Sequence, residues 1–300
     1  MPWEMPWGSR PSLFPGPYWP ATPSPGCRGG GVHNQLPGTW SDDTSMLLCT
    51  LANLTETGGD PDDLMARFTD WVWDGRYSAR GDVFDLGTTV RHAVINYARG
   101  TRALDCGERG EYACGNGSLM RIAPVALWLT AKPDLPPLDA IRMVHDYSAC
   151  THANPRCQMA CGILCAVISA LCRDRSRWAV RQAITRIMGF YREQPDFARV
   201  YPNFHRMKCV DRLPLSAVAS TGYVIDTLEA ALWCLMTTSS YRDCVLKAVN
   251  LGDDADTTAA VAGGLAGLMY GVEAIPEEWL AALPKRKKIE TLCRDFADSL

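Results

Sequence analysis

The chain has 300 residues, 47% of them hydrophobic, with a formal net charge of −3 and a pI near 6.0. That is enough for a large core, and the acidic balance disfavours a nucleic-acid or anionic-membrane partner. Thirteen cysteines are an odd number, and Cys157, Cys161 and Cys165 lie in an apolar helical run, so they read as reduced core thiols and not as a disulfide framework or zinc knuckle.

Residues 1–40 differ in kind from the rest. Nine prolines from Pro2 to Pro37 and the run Gly29-Gly30-Gly31 oppose regular structure. Trp3, Trp7, Phe14, Tyr18, Trp19 and Trp40 are nonetheless too apolar for a free tail. An extended segment packed on the body is expected, followed by one all-helical domain over 41–300.

From Asp42 onward the apolar periodicity is helical. It predicts helices over Asp42–Thr57, Pro61–Gly75, Gly87–Arg99, Ser118–Leu129, Pro137–Tyr147, Pro155–Arg173, Ser176–Tyr191, Tyr223–Thr237, Tyr241–Val249, Asp256–Tyr270 and Lys285–Ser299. Alternating β-branched runs are few, so the fold class is all-α. Gly263, Gly264 and Gly267 allow a close helix approach, which makes the Asp256–Tyr270 helix a candidate for the centre. The uncharged run Met159 to Leu171 is too short to span a bilayer, and the start lacks a signal-peptide layout. A cytoplasmic monomer is the expectation, with signal-less secretion also compatible.

Two helix starts are unusually acidic. Leu251-Gly252-Asp253-Asp254-Ala255-Asp256-Thr257-Thr258 opens the small-residue run Ala259 to Gly271, and Trp40-Ser41-Asp42-Asp43-Thr44 opens another apolar helix. Carboxylates and hydroxyls are ordinary helix caps. Their crowding also fits a hard divalent cation, which takes oxygen ligands. Facing each other, the two starts would offer Ser41, Asp42, Asp43, Asp254, Asp256 and Thr257, enough for two cations that orient a substrate and a water molecule.

Other stretches are ambiguous alone. Asp85 in Phe84-Asp85-Leu86-Gly87 fits an N-cap. Cys114-Gly115-Asn116-Gly117-Ser118-Leu119-Met120-Arg121 is either a turn or a backbone cradle for an anion. His152, in a loop between helices, fits a structural group as well as a catalyst. Tyr223 beside Gly222 could stack on a base or sit in the core.

Taken in order, these motifs resemble the ADP-ribosylglycohydrolases of the dinitrogenase-reductase-activating and ADP-ribosyl-arginine hydrolase type. The motifs are Trp40-Ser41-Asp42-Asp43-Thr44-Ser45-Met46, Phe84-Asp85-Leu86-Gly87, Gly115-Asn116-Gly117-Ser118-Leu119-Met120-Arg121-Ile122-Ala123-Pro124, Thr151-His152, Gly222-Tyr223-Val224 and Asn250 to Thr258. The resemblance implies a single-domain helical fold with a binuclear magnesium or manganese centre in an ADP-ribose cleft. Ser41, Asp42, Asp43, Asp254, Asp256 and Thr257 then look like the metal ligands. Cys114, Gly115, Asn116 and Gly117 would line the diphosphate, His152, Gly222 and Tyr223 the ribose and adenine, and Met120 also counts among the substrate-binding residues. Asp43, Asp85 and Glu4 would be the catalytic acids, Glu4 standing in Pro2-Trp3-Glu4 where the family has its early G-x-P-x-E segment. The family usually begins with a glycine-rich helix ahead of that proline, and this sequence starts after it; either the natural start lies upstream or that helix is lost.

The implied reaction is metal-dependent hydrolysis releasing ADP-ribose from a modified protein, with arginine the favoured linkage. Alternatives are serine-linked or other ADP-ribose conjugates, and a catalytically silent ADP-ribose binder. An isoprenoid-diphosphate synthase needs acids at helical spacing along one face, and the residues after Asp43, Thr44-Ser45-Met46-Leu47-Leu48, break that pattern.

Overall fold

The computed structural model describes residues 33–300. Glu4 and all but the last eight residues of the Pro-, Gly- and Trp-rich segment lie outside the described residues. Within them are twelve α-helices: α1 Asp42–Thr57, α2 Pro61–Asp74, α3 Thr88–Ala98, α4 Ala123–Thr130, α5 Pro137–Ala149, α6 Pro155–Arg173, α7 Arg177–Arg192, α8 Val224–Thr237, α9 Tyr241–Val249, α10 Ala255–Tyr270, α11 Glu277–Ala282 and α12 Arg286–Asp298. The extended pairings besides are isolated bridges, Glu108 with His152 and Gly115 with Tyr223. An all-α fold is therefore what the described residues adopt.

Local chemistry sets many of the boundaries. Asp60, Asn154, Ser176 and Ser240 each accept a backbone N–H of the first turn of α2, α6, α7 and α9, the ordinary N-cap arrangement. Helix α1 ends on Gly58 at φ 67° and α2 on Gly75 at φ 65°, the left-handed conformation that glycine adopts without cost.

The core is built around α6, which packs against α4, α5, α7, α8 and α10. By length and composition α6 could cross a bilayer, and here most of it is buried by those neighbours, from Cys157 through Leu171. Helix α8 is buried along nearly its whole length, Val224 to Met236. The glycines of α10 admit α9: a Cβ on Gly263 would stand 3.5 Å from Tyr241 Oη and Val245 Cγ2. Helix α12 covers α1 from outside, and no cysteine pair among the described residues is bridged.

Three departures from the sequence reading have physical causes. The helix expected from Ser118 begins at Ala123, because residues 118–122 fold as a tight turn in which Leu119 N and Met120 N both donate to Asn116 O. Pro124 then sits in the first turn of α4, where a missing N–H costs nothing. The segment between α7 and α8, left unassigned, contains four short 3-10 helices between Pro195 and Ala217, pieces too short to show a period. Helix α11, six residues long, escapes for the same reason.

Candidate functional site

The N-termini of α1 and α10 open onto one cleft of about 990 Å³. Its walls include Ser41, Asp42 and Asp43 from the first helix, and Asp254, Asp256 and Thr257 from the second. Residues more than two hundred positions apart thus share one cavity.

The cap residues of these two helices do not cap. Ser41 stands at the N-cap of α1 and Asp254 at that of α10, yet neither side chain accepts a first-turn N–H. Ser41 Oγ donates instead to Asp43 Oδ2 at 2.8 Å. Asp254 accepts from Thr257 Oγ1 at 3.0 Å and from Asn116 Nδ2 at 2.8 Å. Elsewhere in the chain the same residue types cap normally, so these side chains are turned from the usual role toward the cleft. Asp85 does not cap α3 either, since Gly87 holds that position.

Electrostatics show what this arrangement costs. Burial pushes the Asp42 carboxyl well up, and Asp43, Asp85, Asp256 and Asp254 push it further. Asp43 rises to about 8, through burial first and the charge of Asp256 second. Asp254 rises to about 6 by burial, a rise opposed by its Asn116 hydrogen bond. Asp43 Oδ1 is buried with no hydrogen-bond partner, a condition native carboxylates avoid. The positive ends of two helix dipoles offset part of the repulsion.

An oxygen-only donor set of this kind suits magnesium or manganese, and the orphaned Asp43 oxygen is the group such an ion would engage. Among the described residues no three His, Cys, Asp or Glu side chains converge tightly enough to hold an ion by themselves. The donors that share the cleft are carboxylates from two helices together with hydroxyls. The residues present fit the group as an open, shared site, not as a closed cage.

Three loops are tied into the opposite wall. Asn116 N donates to Gly222 O at 3.1 Å, Val224 N to Cys114 O at 2.9 Å, and Asp254 N to Ser220 O at 3.0 Å. Asn116 Nδ2 also donates to Thr227 Oγ1 at 2.9 Å, so one buried amide joins the glycine turn, α8 and the start of α10. His152 is 2% exposed and packs beneath this turn. A Cβ on Gly117 would come 2.8 Å from His152 Cε1 and 3.1 Å from Val90 Cγ2, and one on Gly222 would stand 3.1 Å from Asp254 Oδ2. The glycines are there because the wall is full behind them.

Burial, helped by the nearby Arg121 charge, drops the His152 imidazole to about 3. It is neutral and held through Thr151, whose hydroxyl lies 2.9 Å from His152 Nδ1 and accepts from Arg121. Arg121, fully buried over the Phe68 ring, also donates to Tyr147 O. An arginine inside an apolar run is the sequence signal for this support.

Gly115, Asn116, Gly117, Met120, His152, Gly222 and Asp85 all line the cleft. Cys114 and Tyr223 are not among its lining residues: the Cys114 thiol points to Glu111 O and Arg156, and Tyr223 packs against the core. Glu4 lies outside the described residues. Sequence reasoning missed His33, whose Nε2 is 3.3 Å from Asp85 Oδ2 and whose ring leans on Phe84. It also missed Thr88 and Thr89, and gave Asp253 no role. Asp85 itself adopts φ 57°, a left-handed conformation strained for a residue with a Cβ and frequent at functional sites.

The cleft carries six carboxylates, Asp42, Asp43, Asp85, Asp253, Asp254 and Asp256, and among the described residues no lysine or arginine lines it.

Comparison with known proteins follows the same direction. The ADP-ribosylglycohydrolase family model matches residues 1–300. The chain is 32% identical over 274 residues to the ADP-ribosylarginine hydrolase Tri1 of Serratia proteamaculans (strain 568), covering 89% of this chain and 69% of that protein. It is 31% identical over 275 residues to the ADP-ribosyl-[dinitrogen reductase] glycohydrolase of Rhodospirillum rubrum, covering 91% and 82%. A solved structure described as an ADP-ribosylglycohydrolase-related protein complex superposes with a TM-score of 0.72 at 31% identity, over 92% of this chain and 87% of the other.

Proposed function

This chain belongs to the ADP-ribosylglycohydrolase family, and we propose from its site that it hydrolyses the bond between the anomeric carbon of ADP-ribose and a protein arginine, releasing ADP-ribose. The arginine linkage is supported by the names of its relatives and, on this chain's own residues, by one observation. A cleft with six carboxylates and no lining lysine or arginine favours a cationic side chain such as a guanidinium.

Ser41, Asp42, Asp43, Asp254, Asp256 and Thr257 are the residues that would hold two magnesium or manganese ions. Bound there, such ions supply Lewis-acid polarisation and an acidified water. The chain's own groups do the rest. Either Asp43 or Asp85 is the carboxylate that accepts the proton of the attacking water. Positive charge developing on the ribose ring is stabilised by the surrounding carboxylates, and the guanidine departs as a neutral group that then takes a proton. The Gly115-Asn116-Gly117 turn, free of side-chain bulk at its glycines, faces the diphosphate, while Met120 and Gly222 shape the nucleotide wall.

The direct test offers the purified protein arginine-ADP-ribosylated and serine-ADP-ribosylated peptides, with magnesium or with chelator. Free ADP-ribose from the arginine peptide, dependent on magnesium, is the expected result. Release from the serine peptide alone would overturn the linkage, and binding without release would make the protein an ADP-ribose reader.

A further inference from the structure

The rear face of the cleft wall carries two cysteines. We propose that Cys114 and Cys157 form an oxidation site, a dithiol that a small hydroperoxide closes into a disulfide behind the glycine turn. Cys114 Sγ donates to Glu111 O at 3.2 Å, and Arg156 Nη1 lies 3.5 Å from the same sulfur. Cys157, in the first turn of α6, reaches the carbonyl oxygens of Ala113 at 3.7 Å and Gly115 at 3.5 Å, the two residues flanking Cys114. Cys157 thus sits against the backbone on both sides of Cys114.

These surroundings set Cys114 apart from the buried core thiols. The Cys157 hydrogen bond lowers Cys114 to about 6 against the opposing effect of burial, with the Arg156 guanidinium helping. Burial alone or chiefly drives Cys106 and Cys244 up to about 11, and Cys150 and Cys234 to about 12. The exposed Cys172 and Cys293 are also raised. Since the thiolate is the reactive form, accessibility and reactivity are separated in this protein. Cys114, nearly buried, is held toward its thiolate form, with Cys157 behind the same turn as the resolving partner.

The chemistry balances with hydrogen peroxide as oxidant. The Cys114 thiolate attacks one peroxide oxygen, the O–O bond breaks, and the hydroxide released takes a proton to leave as water. Cys157 then attacks the resulting sulfenic sulfur, forming the S–S bond and expelling a second water. Two thiols are oxidised and one peroxide is reduced to two waters.

Closure has a structural consequence. A disulfide brings the sulfurs to about 2.05 Å, and Cys157 can no longer donate to Gly115 O. Gly115 bridges to Tyr223 and Cys114 O accepts from Val224 N. Because Cys157 is fixed in α6, the glycine turn must move, and with it the wall opposite the acidic helix starts.

The experiment treats the protein with hydrogen peroxide, alkylates the remaining thiols and maps the peptides. Expected is a Cys114–Cys157 cross-linked pair lighter by two hydrogens and restored by dithiothreitol. Hydrolysis of arginine-linked ADP-ribose should then show a several-fold higher KM after oxidation, with Cys157→Ser insensitive to peroxide. Oxidation confined to Cys172 and Cys293, or Cys114 oxidised while Cys157 still alkylates, would overturn the proposal. The mapping uses no substrate, so it stands or fails apart from the assigned reaction.

Discussion

Asn116 ties two elements of the cleft wall together through one side chain. Its amide holds Asp254 and Thr227 at once, orienting a candidate ligand from outside the donor set. Asn116→Ala should leave the helices intact and weaken manganese binding by about tenfold to a hundredfold, the usual cost of losing such a partner. Calorimetric titration checks this, and unchanged affinity would detach Asn116 from the metal site. Gly117→Ala tests the packing beneath. Its Cβ would crowd His152 and Val90, so overpacking should cost about 1–3 kcal/mol in stability and raise KM, since the turn must lift into the cleft. Denaturant midpoints and initial rates read the two effects separately. At this scale the sequence was legible where like charges crowd, as at Asp42, Asp43, Asp254 and Asp256. It was silent on the pairing of His33 with Asp85, which depends on a loop path, and on the Cys114 thiol, because a motif position does not say which way a side chain points.

The helices behave as the periodicity predicts wherever a long apolar face meets a cap, as in α2 and α6. The failures are elements that tertiary contact decides. Residues 118–122 have helical composition but bend because Asn116 O takes two donors and the turn must carry the cleft wall. The 3-10 pieces before α8 are too short to leave a pattern. The α5–α6 region supplies a pH test away from the cleft. His145 donates to or accepts from Tyr191 Oη at 2.8 Å and is lowered by burial to about 4. A depressed imidazole contributes stability that is fully present above the unfolded value near 6.5 and is lost as pH falls through 4. The wild-type protein should therefore lose denaturant resistance between pH 7 and pH 4. His145→Gln, able to keep the hydrogen bond, should lose it with a slope smaller by about one proton. An identical slope would show that His145 does not titrate with unfolding.

At the scale of the whole molecule, the architecture turns the first turns of two distant helices into one acidic cavity. Helices α6 and α8 form the buried support, and the 114–117, 220–223 and 252–257 loops close the wall. All-α class and the convergence of α1 with α10 could be read from sequence because both follow from patterned residues. The unspent caps could not, since Ser41 and Asp254 look like caps until their partners are seen. Sharing of divalent cations by these two helix starts is measured directly by equilibrium dialysis with manganese. Two ions per wild-type chain, with binding lost in both Asp43→Ala and Asp256→Ala, is the predicted result. A wild-type chain that binds no manganese, or an Asp256→Ala protein that binds it unchanged, would contradict the account.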